Sequence, residues 1–361
     1  MILTELTVDN VRCIEHAELS LHAGLNLIWG ANGSGKTSLL EAMFLLGRGR
    51  SFRTRNSERL IRHGGDRLVV FGRTDAGAQD ESGLTHAVGV EVHRRDGTKA
   101  RVDGAAIGSL AELSRVFPVQ VIDPGVHKLI EEGGRRRRRW LDWAVFHVEP
   151  RFGDWWGRYG RAVRQRNAAL RQGGATRPWD LEAASLGEKI AEARGAVLEQ
   201  LLPHWREVAA GLGCPPGELQ YLRGWAAQQT LAEALEAARA RDEARGLTQV
   251  GPHRADVLIR SAGKLAREVL SRGQQKLMAV ALTLAQLRLL KSISGAAPTL
   301  LLDDPAAELD SEHLVNFVSQ IALLGGQLVI TSLQPETPAF GRPDRVFHVE
   351  QGRVGRYNVA S

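Results

Sequence analysis

Apolar positions alternate with polar ones near both ends of the chain and recur at helical spacing in the middle. Alternating or continuous apolar runs predict strands at residues 3–8, 17–21, 68–71, 87–92, 257–260, 328–330 and 345–349. Between about 135 and 245 the spacing is helical, as at Leu186, Ile190, Ala193, Val197 and Leu201. We therefore expect an α/β protein in which a helical stretch interrupts a sheet.

One apolar run, residues 25–29, leads into a glycine-rich segment with the spacing G-x-x-x-x-G-K-T. This spacing predicts a phosphate-binding loop, because glycines let backbone amides turn toward an anion at a helix N-terminus. We expect Lys36 to reach the β- and γ-phosphates and Thr37 to bind Mg²⁺. A helix should follow, with Gly47 at its end. The predicted ATP-binding residues are Gly30, Ala31, Asn32, Gly33, Ser34, Gly35, Lys36, Thr37 and Ser38.

A second apolar run, residues 299–302, is followed by Asp303 and Asp304. A continuous apolar run is typical of a buried parallel strand, and ligands bind at the carboxyl ends of such strands. Asp303 is therefore expected to hold Mg²⁺, directly or through water. Asp304 is expected to act on the attacking water. The alternative is a plain turn after a strand, which Asp-Asp-Pro would also suit.

The head of the predicted fold is split along the chain, since Lys36 and Asp303 must meet to share one nucleotide. We predict a split domain made of residues 1–125 and 246–361, with residues 126–245 as an inserted helical lobe. A chain of 361 residues is long enough for two such domains. The insert is too short for long coiled-coil arms.

A third segment, residues 270–275, resembles the Leu-Ser-Gly-Gly-Gln signature of ABC-type ATPases, with Arg272 replacing the first glycine. Ser271 is a suitable N-cap for a helix over residues 274–291. In the ABC arrangement this helix faces the γ-phosphate bound by a second protomer. That arrangement implies an ATP-dependent homodimer, in which Ser271, Arg272, Gly273 and Gln274 contact the other protomer's ATP. The alternative is an amphipathic core helix with a serine cap.

Cysteine content and the N-terminal residues bear on location. Two cysteines, Cys13 and Cys214, exclude a disulfide scaffold and fit a reducing cytosol. The N-terminus carries no secretory signal pattern. The best candidate for a membrane span, residues 277–290, contains Thr283, Gln286 and Arg288, so we predict a core helix and no membrane. These features predict a cytoplasmic protein.

Positive charge is concentrated in residues 135–171, which contain eleven arginines, no lysine and three acidic residues, whereas the whole chain carries a net charge of +6. On a helix over residues 158–171, Arg158, Arg161, Arg164 and Arg171 share one side. A one-sided basic stripe predicts contact with a DNA phosphate backbone. The alternative is a solvated face. For residues 135–139 the alternative is pairing with Glu131, Glu132 or the head. Seven of the eight tryptophans lie between 140 and 225 and are predicted to form lobe core rather than base-stacking platforms.

Several segments occur together in this chain, and their combination is more specific than the loop alone. They are Asn-Gly-Ser-Gly-Lys-Thr-Ser at 32–38, Gly-Arg-Gly-Arg-Ser-Phe-Arg at 47–53, Leu-Asp-Trp-Ala-Val-Phe-His at 141–147, Gln-Arg-Asn-Ala-Ala-Leu at 165–170, Gly-Pro-His-Arg at 251–254, the signature, and residues 303–310. In this combination the chain resembles the RecF family of bacterial recombination-mediator ATPases, relatives of chromosome-structural-maintenance heads. The resemblance implies a P-loop ABC-type ATPase head of α/β class with an inserted helical lobe.

The resemblance also implies roles for individual residues. Gln120 would sense magnesium and water and would be catalytic together with Lys36 and Asp304. Glu308, Leu309 and Asp310 would form a loop at the dimer interface. Thr331 or Ser332 would stand where many ABC ATPases have a phosphate-sensing histidine. The shorter Asp304, where a glutamate is usual, fits a weak, switch-like ATPase.

Three functional classes remain to be separated. The first is a RecF-type protein of DNA repair, replication and the SOS response, in which ATP and Mg²⁺ drive a dimer that clamps duplex or gapped DNA, with RecR and RecO as implied partners. The second is a transporter-type ATPase subunit, which would share the loop, signature and carboxylates but not the segments at 47–53 and 251–254. The third is a chromosome-organising head, which the short insert disfavours.

Overall fold

The structure is a computed structural model that describes residues 1–75, 85–295, 297–305 and 311–357, without the side chain of Ser311. Contacts divide the chain into two compact units. The first comprises Met1–Val126, Gly211–Gly213 and Leu290–Ser361, and the second comprises His127–Ala210 and Cys214–Leu289. The predicted domain boundaries stay a prediction, and the contacts differ from them by grouping residues 246–289 with the second unit.

Strands form three sheets. In chain order they are β1 (Ile2–Val11), β2 (Ile14–Ser20), β3 (Leu25–Trp29), β4 (Arg67–Asp75), β5 (Thr85–His93), β6 (Gly97–Val102), β7 (Ala105–Ala106), β8 (Val119–Ile122), β9 (Glu218–Leu222), β10 (Asp256–Ser261), β11 (Lys264–Leu265), β12 (Thr299–Leu302), β13 (Leu328–Ser332), β14 (Arg345–Glu350) and β15 (Arg353–Arg356). Each run for which the sequence predicts a strand overlaps one of these.

Helices follow in the same order. They are α1 (Lys36–Arg48), α2 (Ala111–Val116), α3 (Lys128–Glu131), α4 (Gly134–Val148), α5 (Phe152–Gln172), α6 (Arg177–Gly211), α7 (Leu231–Ala237), α8 (Arg239–Arg245), α9 (Ala266–Val269), α10 (Arg272–Ser294) and α11 (Ser311–Leu324).

The first unit holds an antiparallel sheet in the order β2-β1-β4-β5-β6-β7 and a mixed sheet in the order β15-β14-β3-β13-β12-β8. In the mixed sheet β14, β3, β13, β12 and β8 are mutually parallel, and β15 is antiparallel to β14. The carboxyl ends of β3 and β12 therefore reach the same edge, with β13 between them. This edge is where the glycine-rich loop and Asp303 were predicted to meet.

Helix α1 supplies much of the core of the first unit. Its apolar residues pack in one cluster with residues of both sheets of the first unit, and Leu39, Leu40, Met43 and Leu46 are fully buried. The expectation that Gly47 ends this helix is wrong, because the helix continues to Arg48 and Gly49 adopts the left-handed cap with φ 61°. Gly47 instead allows close packing, since a Cβ there would lie 2.4 Å from the carbonyl oxygen of Phe117.

The second unit is mostly helical but contains the sheet β11-β10-β9. Strand β9 lies within the stretch predicted to be helical, so that part of the prediction is wrong. The strand forms because residues 218–222 pair antiparallel with residues 256–260 of β10, a long-range partner that a local pattern does not reveal. Of the seven tryptophans predicted to form lobe core, Trp140, Trp143 and Trp205 are buried, whereas the other four are partly exposed.

Helix α10 starts two residues earlier than predicted and is mostly buried. Leu277, Leu284 and Leu287 are among its buried side chains, which agrees with the predicted core helix. Within the described part of the chain it is the one helix whose length and composition would also allow a membrane span, and 72% of its apolar window is buried inside the protein.

Candidate nucleotide-binding site

The glycine-rich loop joins β3 to α1 through three glycines with positive φ. Gly30, Gly33 and Gly35 have φ angles of 155°, 76° and 122°. A Cβ at Gly30 would lie 2.2 Å from the carbonyl oxygen of Val349, so a larger residue would displace backbone there. The amide of Gly352 donates to the carbonyl of Ser34 at 2.8 Å, which ties the loop to the turn between β14 and β15. The loop is therefore held in shape by backbone contacts.

Lys36 lies over its own loop with its ammonium group close to two carbonyls. Its Nζ donates to the carbonyl oxygens of Gly30 at 2.7 Å and Ala31 at 3.0 Å. Burial lowers the pKa of Lys36, while the carboxylates of Asp304 and Asp303 act in the opposite direction. Ser34 Oγ is buried without a hydrogen-bond partner among the described residues. An ammonium group and a buried donor at a helix N-terminus suit a phosphate group.

Thr37 and Asp303 meet at the edge of the sheet, as the two motifs predicted. Thr37 Oγ1 lies 2.9 Å from Asp303 Oδ1 and 3.1 Å from Oδ2. Mg²⁺ prefers oxygen ligands and is usually held by one or two protein groups together with water and phosphate. The hydroxyl and carboxylate oxygens of this pair fit that requirement.

Asp304 follows in a left-handed backbone conformation, with φ 49°. Its amide donates to Thr331 Oγ1 at 2.9 Å, and the same hydroxyl donates to Asp303 Oδ1 at 2.9 Å. Thr331 is fully buried. The neighbouring Ser332 uses its hydroxyl to accept the amide of Gln334 at 3.1 Å. Of the two residues at the expected histidine position, Thr331 is therefore the one that contacts both aspartates.

Gln120 lies away from this edge. It pairs in register with Leu300 of β12, three positions before Asp303, or about 10 Å along the strand. Asp123, which follows β8, occupies the edge, because the amide of Asp303 donates to the carbonyl of Ile122. Sequence reasoning missed Asp123, although an apolar strand ending in Asp-Pro repeats the pattern of Asp304 and Pro305.

The signature residues lie at the exposed N-terminus of α10. The amide of Gln274 donates to Ser271 Oγ at 3.3 Å, and the amide of Ser271 donates to Gln274 Oε1 at 3.0 Å. This reciprocal pair confirms Ser271 as the N-cap. Ser271, Arg272, Gly273 and Gln274 are all exposed. The predicted dimer loop, Glu308, Leu309 and Asp310, lies outside the described residues.

A buried carboxylate that the sequence reasoning missed stands on α1. Glu41 is fully buried and accepts Ser51 Oγ at 2.6 Å. Arg12 donates to both of its oxygens, at 3.0 and 3.1 Å, and the guanidinium of Arg53 lies 3.6 Å away. The segment at 47–53 is therefore anchored on the helix that carries Lys36.

The predicted basic stripe lies on the exposed side of α5. Arg158 pairs with Glu182 at 3.2 Å, and Arg171 donates to the carbonyl of Gly246 at 3.4 Å. Arg161 and Arg164 are exposed and form no ion pair within the described ranges. These two arginines are the members of the stripe that remain available to an external phosphate.

Other arginines of the basic region are structural. Arg166 is fully buried and donates to Asp180 and Asp242, both at 2.6 Å. Arg136 pairs with Glu132 at 3.0 Å, as the alternative for residues 135–139 predicted, and Arg137 forms a two-bond pair with Asp256.

The Gly-Pro-His-Arg segment at 251–254 packs inside the second unit. His253 Nδ1 lies 2.7 Å from the hydroxyl of Tyr159, and Nε2 lies 3.0 Å from the carbonyl of Thr248. A carbonyl only accepts, so Nε2 carries the proton and Nδ1 accepts from Tyr159. Burial lowers the pKa of His253 to about 4, so the ring is neutral near pH 7.

Comparison with known proteins identifies relatives over nearly the whole length. Residues 2–355 match the family described as RecF/RecN/SMC N terminal domain. The DNA replication and repair protein RecF of Thioalkalivibrio sulfidiphilus is 39% identical over 363 residues, covering 98% of this chain and 100% of the relative. The protein of the same description from Shewanella baltica strain OS155 is 37% identical, covering 98% and 99%.

Solved structures show the same similarity. A structure of the recombination mediator protein RecF-ATP in the RecFOR pathway superimposes with a TM-score of 0.89 at 27% identity, covering 99% of this chain and 97% of the other. A structure of an Smc head bound to a domain of ScpA has a TM-score of 0.59 at 15% identity, covering 100% and 98%, so it shares the fold.

Proposed function

The chain belongs to the RecF family of DNA replication and repair proteins, and from this premise we propose that it is a weak ATPase whose ATP-bound dimer clamps DNA during recombinational repair. The contact of Thr37 with Asp303, beside the buried Lys36, carries the proposal. Two segments separated by 266 positions meet there in the arrangement that a nucleoside triphosphate and a divalent cation require.

Each residue of the candidate site has a distinct proposed role in ATP binding or hydrolysis. Loop residues 30–38 bind the phosphates, and Lys36 places its charge against them. Thr37 and Asp303 hold Mg²⁺, which neutralises charge on the phosphates when bound. Asp304, next to Asp303, accepts a proton from the attacking water. Gln120 is a weaker candidate for the water-sensing role, since its register sets it behind the edge.

The signature acts between protomers. Ser271, Arg272, Gly273 and Gln274 are exposed at a capped helix N-terminus, where the helix dipole favours an anion. We assign them to the γ-phosphate bound by a second copy, with Glu308, Leu309 and Asp310 at the same interface. ATP then stabilises the dimer and hydrolysis releases it.

DNA, duplex or gapped, is the partner of the dimer, and Arg161 and Arg164 contact its phosphates. RecR and RecO are the proposed protein partners, in the cytoplasm. Neither a transporter subunit nor a chromosome-organising head is favoured, because the 36–39% identical relatives that span the chain are RecF proteins.

Light scattering with and without ATP and Mg²⁺ tests the proposal, together with phosphate release. The parent should dimerise with ATP. Lys36→Ala should lose ATP binding and hydrolysis, and Asp303→Asn should lose hydrolysis. Ser271→Arg should keep ATP binding as a monomer, while Asp304→Asn should bind ATP and stay dimeric.

A matched control adds the same charge elsewhere. Ser319 is an exposed helical serine of α11, so Ser319→Arg should dimerise like the parent. Unchanged turnover in Lys36→Ala would exclude the loop as the ATP site. A dimer that forms equally without nucleotide would exclude the ATP-gated clamp.

A further inference from the structure

Thr331 has a position that the proposed function leaves unused. It lies near the end of β13, the strand that separates β3, which leads into the loop, from β12, which leads into Asp303. Its register partner on β3 is Ile28, and the preceding residue, Ile330, pairs with Leu302. The side chain is fully buried, so its hydroxyl must be satisfied inside the protein.

The hydroxyl serves two neighbours at once. A threonine hydroxyl has one hydrogen to donate and lone pairs to accept. It receives the amide of Asp304 at 2.9 Å, and Asp303 Oδ1 lies 2.9 Å away, closer than the carbonyl of Leu302 at 3.4 Å. An ionised carboxylate only accepts, so the hydrogen goes to Asp303.

The proposed roles of Asp303 and Asp304 require that both residues have defined conformations. Two hydroxyls contact the Asp303 carboxylate, Thr37 from α1 and Thr331 from β13, each 2.9 Å from Oδ1, and together they restrict its rotation. The backbone of Asp304 has φ 49°, a left-handed conformation that costs free energy for a residue with a side chain. The hydrogen bond that its amide donates to Thr331 offsets that cost. It thereby fixes the direction in which the Asp304 side chain points from the backbone.

We propose that Thr331 is a positioning residue for ATP hydrolysis: its buried hydroxyl orients the Asp303 carboxylate for the metal and holds Asp304 in the conformation that serves the attacking water. This inference rests on the proposed ATPase function. Many ABC ATPases have a phosphate-sensing histidine at this position. Thr331 has a different role, since it acts through the two aspartates and does not contact the nucleotide.

The test compares Thr331→Ser with Thr331→Ala, because both variants lack the threonine methyl group and differ from each other only in the hydroxyl. Steady-state phosphate release should give a kcat for Thr331→Ala about 10- to 100-fold below that of Thr331→Ser, the loss expected for hydrogen bonds to charged or strained groups. Thr331→Ser should stay within a few-fold of the parent. Binding of a fluorescent ATP analogue without Mg²⁺ should be equal in both, and the Mg²⁺ concentration for half-maximal rate should rise only in Thr331→Ala.

The control removes a buried hydroxyl that forms no hydrogen bond within the described part of the chain. Thr74 is fully buried in β4 and its Oγ1 has no hydrogen-bond partner among the described residues, so Thr74→Val should keep the parent kcat. Equal kcat values for Thr331→Ala and Thr331→Ser, in a parent that hydrolyses ATP, would overturn the positioning role alone. Loss of Mg²⁺-free ATP binding in Thr331→Ala but not Thr331→Ser would also overturn it. A parent that releases no phosphate would overturn this inference and the proposed ATPase together.

Discussion

Acidification should destabilise the second unit through His253, and the size of the effect follows from the surroundings of the ring. Burial lowers the pKa of His253 to about 4, and the cations of Arg254 and Arg138 act in the same direction. The carbonyl of Thr248 and the carboxylate of Asp242 oppose them. The folded protein therefore binds a proton at His253 less readily than the unfolded chain, whose histidine titrates near 6.5.

The sign of the effect follows from this difference. Above pH 6.5 both states are neutral at His253, and its contribution to stability is fully present. As the pH falls from 6.5 toward 4 the unfolded state binds the proton first, so the free energy of unfolding decreases. A shift from 6.5 to about 4 corresponds to a loss of about 2 kcal/mol at pH 5 and about 3 kcal/mol below pH 4.

Urea unfolding at pH 7, 6 and 5 measures this loss. Tryptophan fluorescence is a suitable signal, because seven of the eight tryptophans lie between 140 and 225. His253→Gln keeps one acceptor and one donor but cannot titrate. The free energy of unfolding of the parent should therefore fall by about 2 kcal/mol more than that of the variant between pH 7 and pH 5.

His16 provides a control of opposite sign. Its side chain is exposed, and the hydrogen bond that it donates to Asp9 raises its pKa, so its contribution is fully present below pH 6.5 and is lost as the pH rises through the raised pKa. His16→Gln should therefore be at least as acid-sensitive as the parent. Parallel pH profiles for the parent and His253→Gln would refute the assignment of a buried neutral ring.

Three further outcomes are expected. Glu41→Ala should lower the free energy of unfolding by about 3–5 kcal/mol, because it leaves Arg12 without its buried partner; thermal unfolding measures this, and a loss no larger than for an exposed glutamate would contradict it. Gly30→Ala should abolish ATP binding in a fluorescent-analogue titration, since its Cβ would meet the Val349 carbonyl, whereas Gly157→Ala, on α5 with open space around it, should still bind. Replacing Arg161 and Arg164 by Gln should lower the slope of log DNA affinity against log salt by about 2 for each protomer that contacts DNA, without changing DNA-free ATP hydrolysis; an unaltered slope would place the DNA contact elsewhere.

The geometry of the candidate nucleotide site was predictable because general rules relate its two distant segments. The loop motif fixes Lys36 and Thr37 relative to one strand, and the rule for carboxyl ends of parallel strands brings Asp303 to them without any knowledge of the rest of the chain. The contact of Thr37 with Asp303 at 2.9 Å confirms that expectation. No such rule identifies the strand that lies between β3 and β12. The role of Thr331, which lies on that strand, could therefore not be predicted from the sequence.

Predictions went wrong where a distant partner decides the local structure. Glycine is common at helix ends, but Gly47 lies inside the helix, where the absence of a side chain allows close packing against Phe117. Strand β9 is specified by pairing with β10, and not by its own pattern. The role of Gln120 stays a prediction; the register of its strand sets it three positions behind the edge, where Asp123 lies.

Residues 135–171 show why the number of arginines in a sequence segment overestimates the positive charge that a binding surface exposes. A salt-dependent contact requires arginines that exchange counterions for phosphate, and therefore arginines exposed to solvent. Several of the eleven arginines in residues 135–171 are instead neutralised by acidic residues from distant parts of the chain, as Arg137 is by Asp256 and Arg166 is by Asp180 and Asp242. A buried pair of this kind holds helices together and contributes nothing to attraction at the surface. On α5 this accounting leaves Arg161 and Arg164, so the proposed DNA contact of this helix rests on two charges per protomer, and removing them can change the slope by at most about 2 for each protomer that contacts DNA.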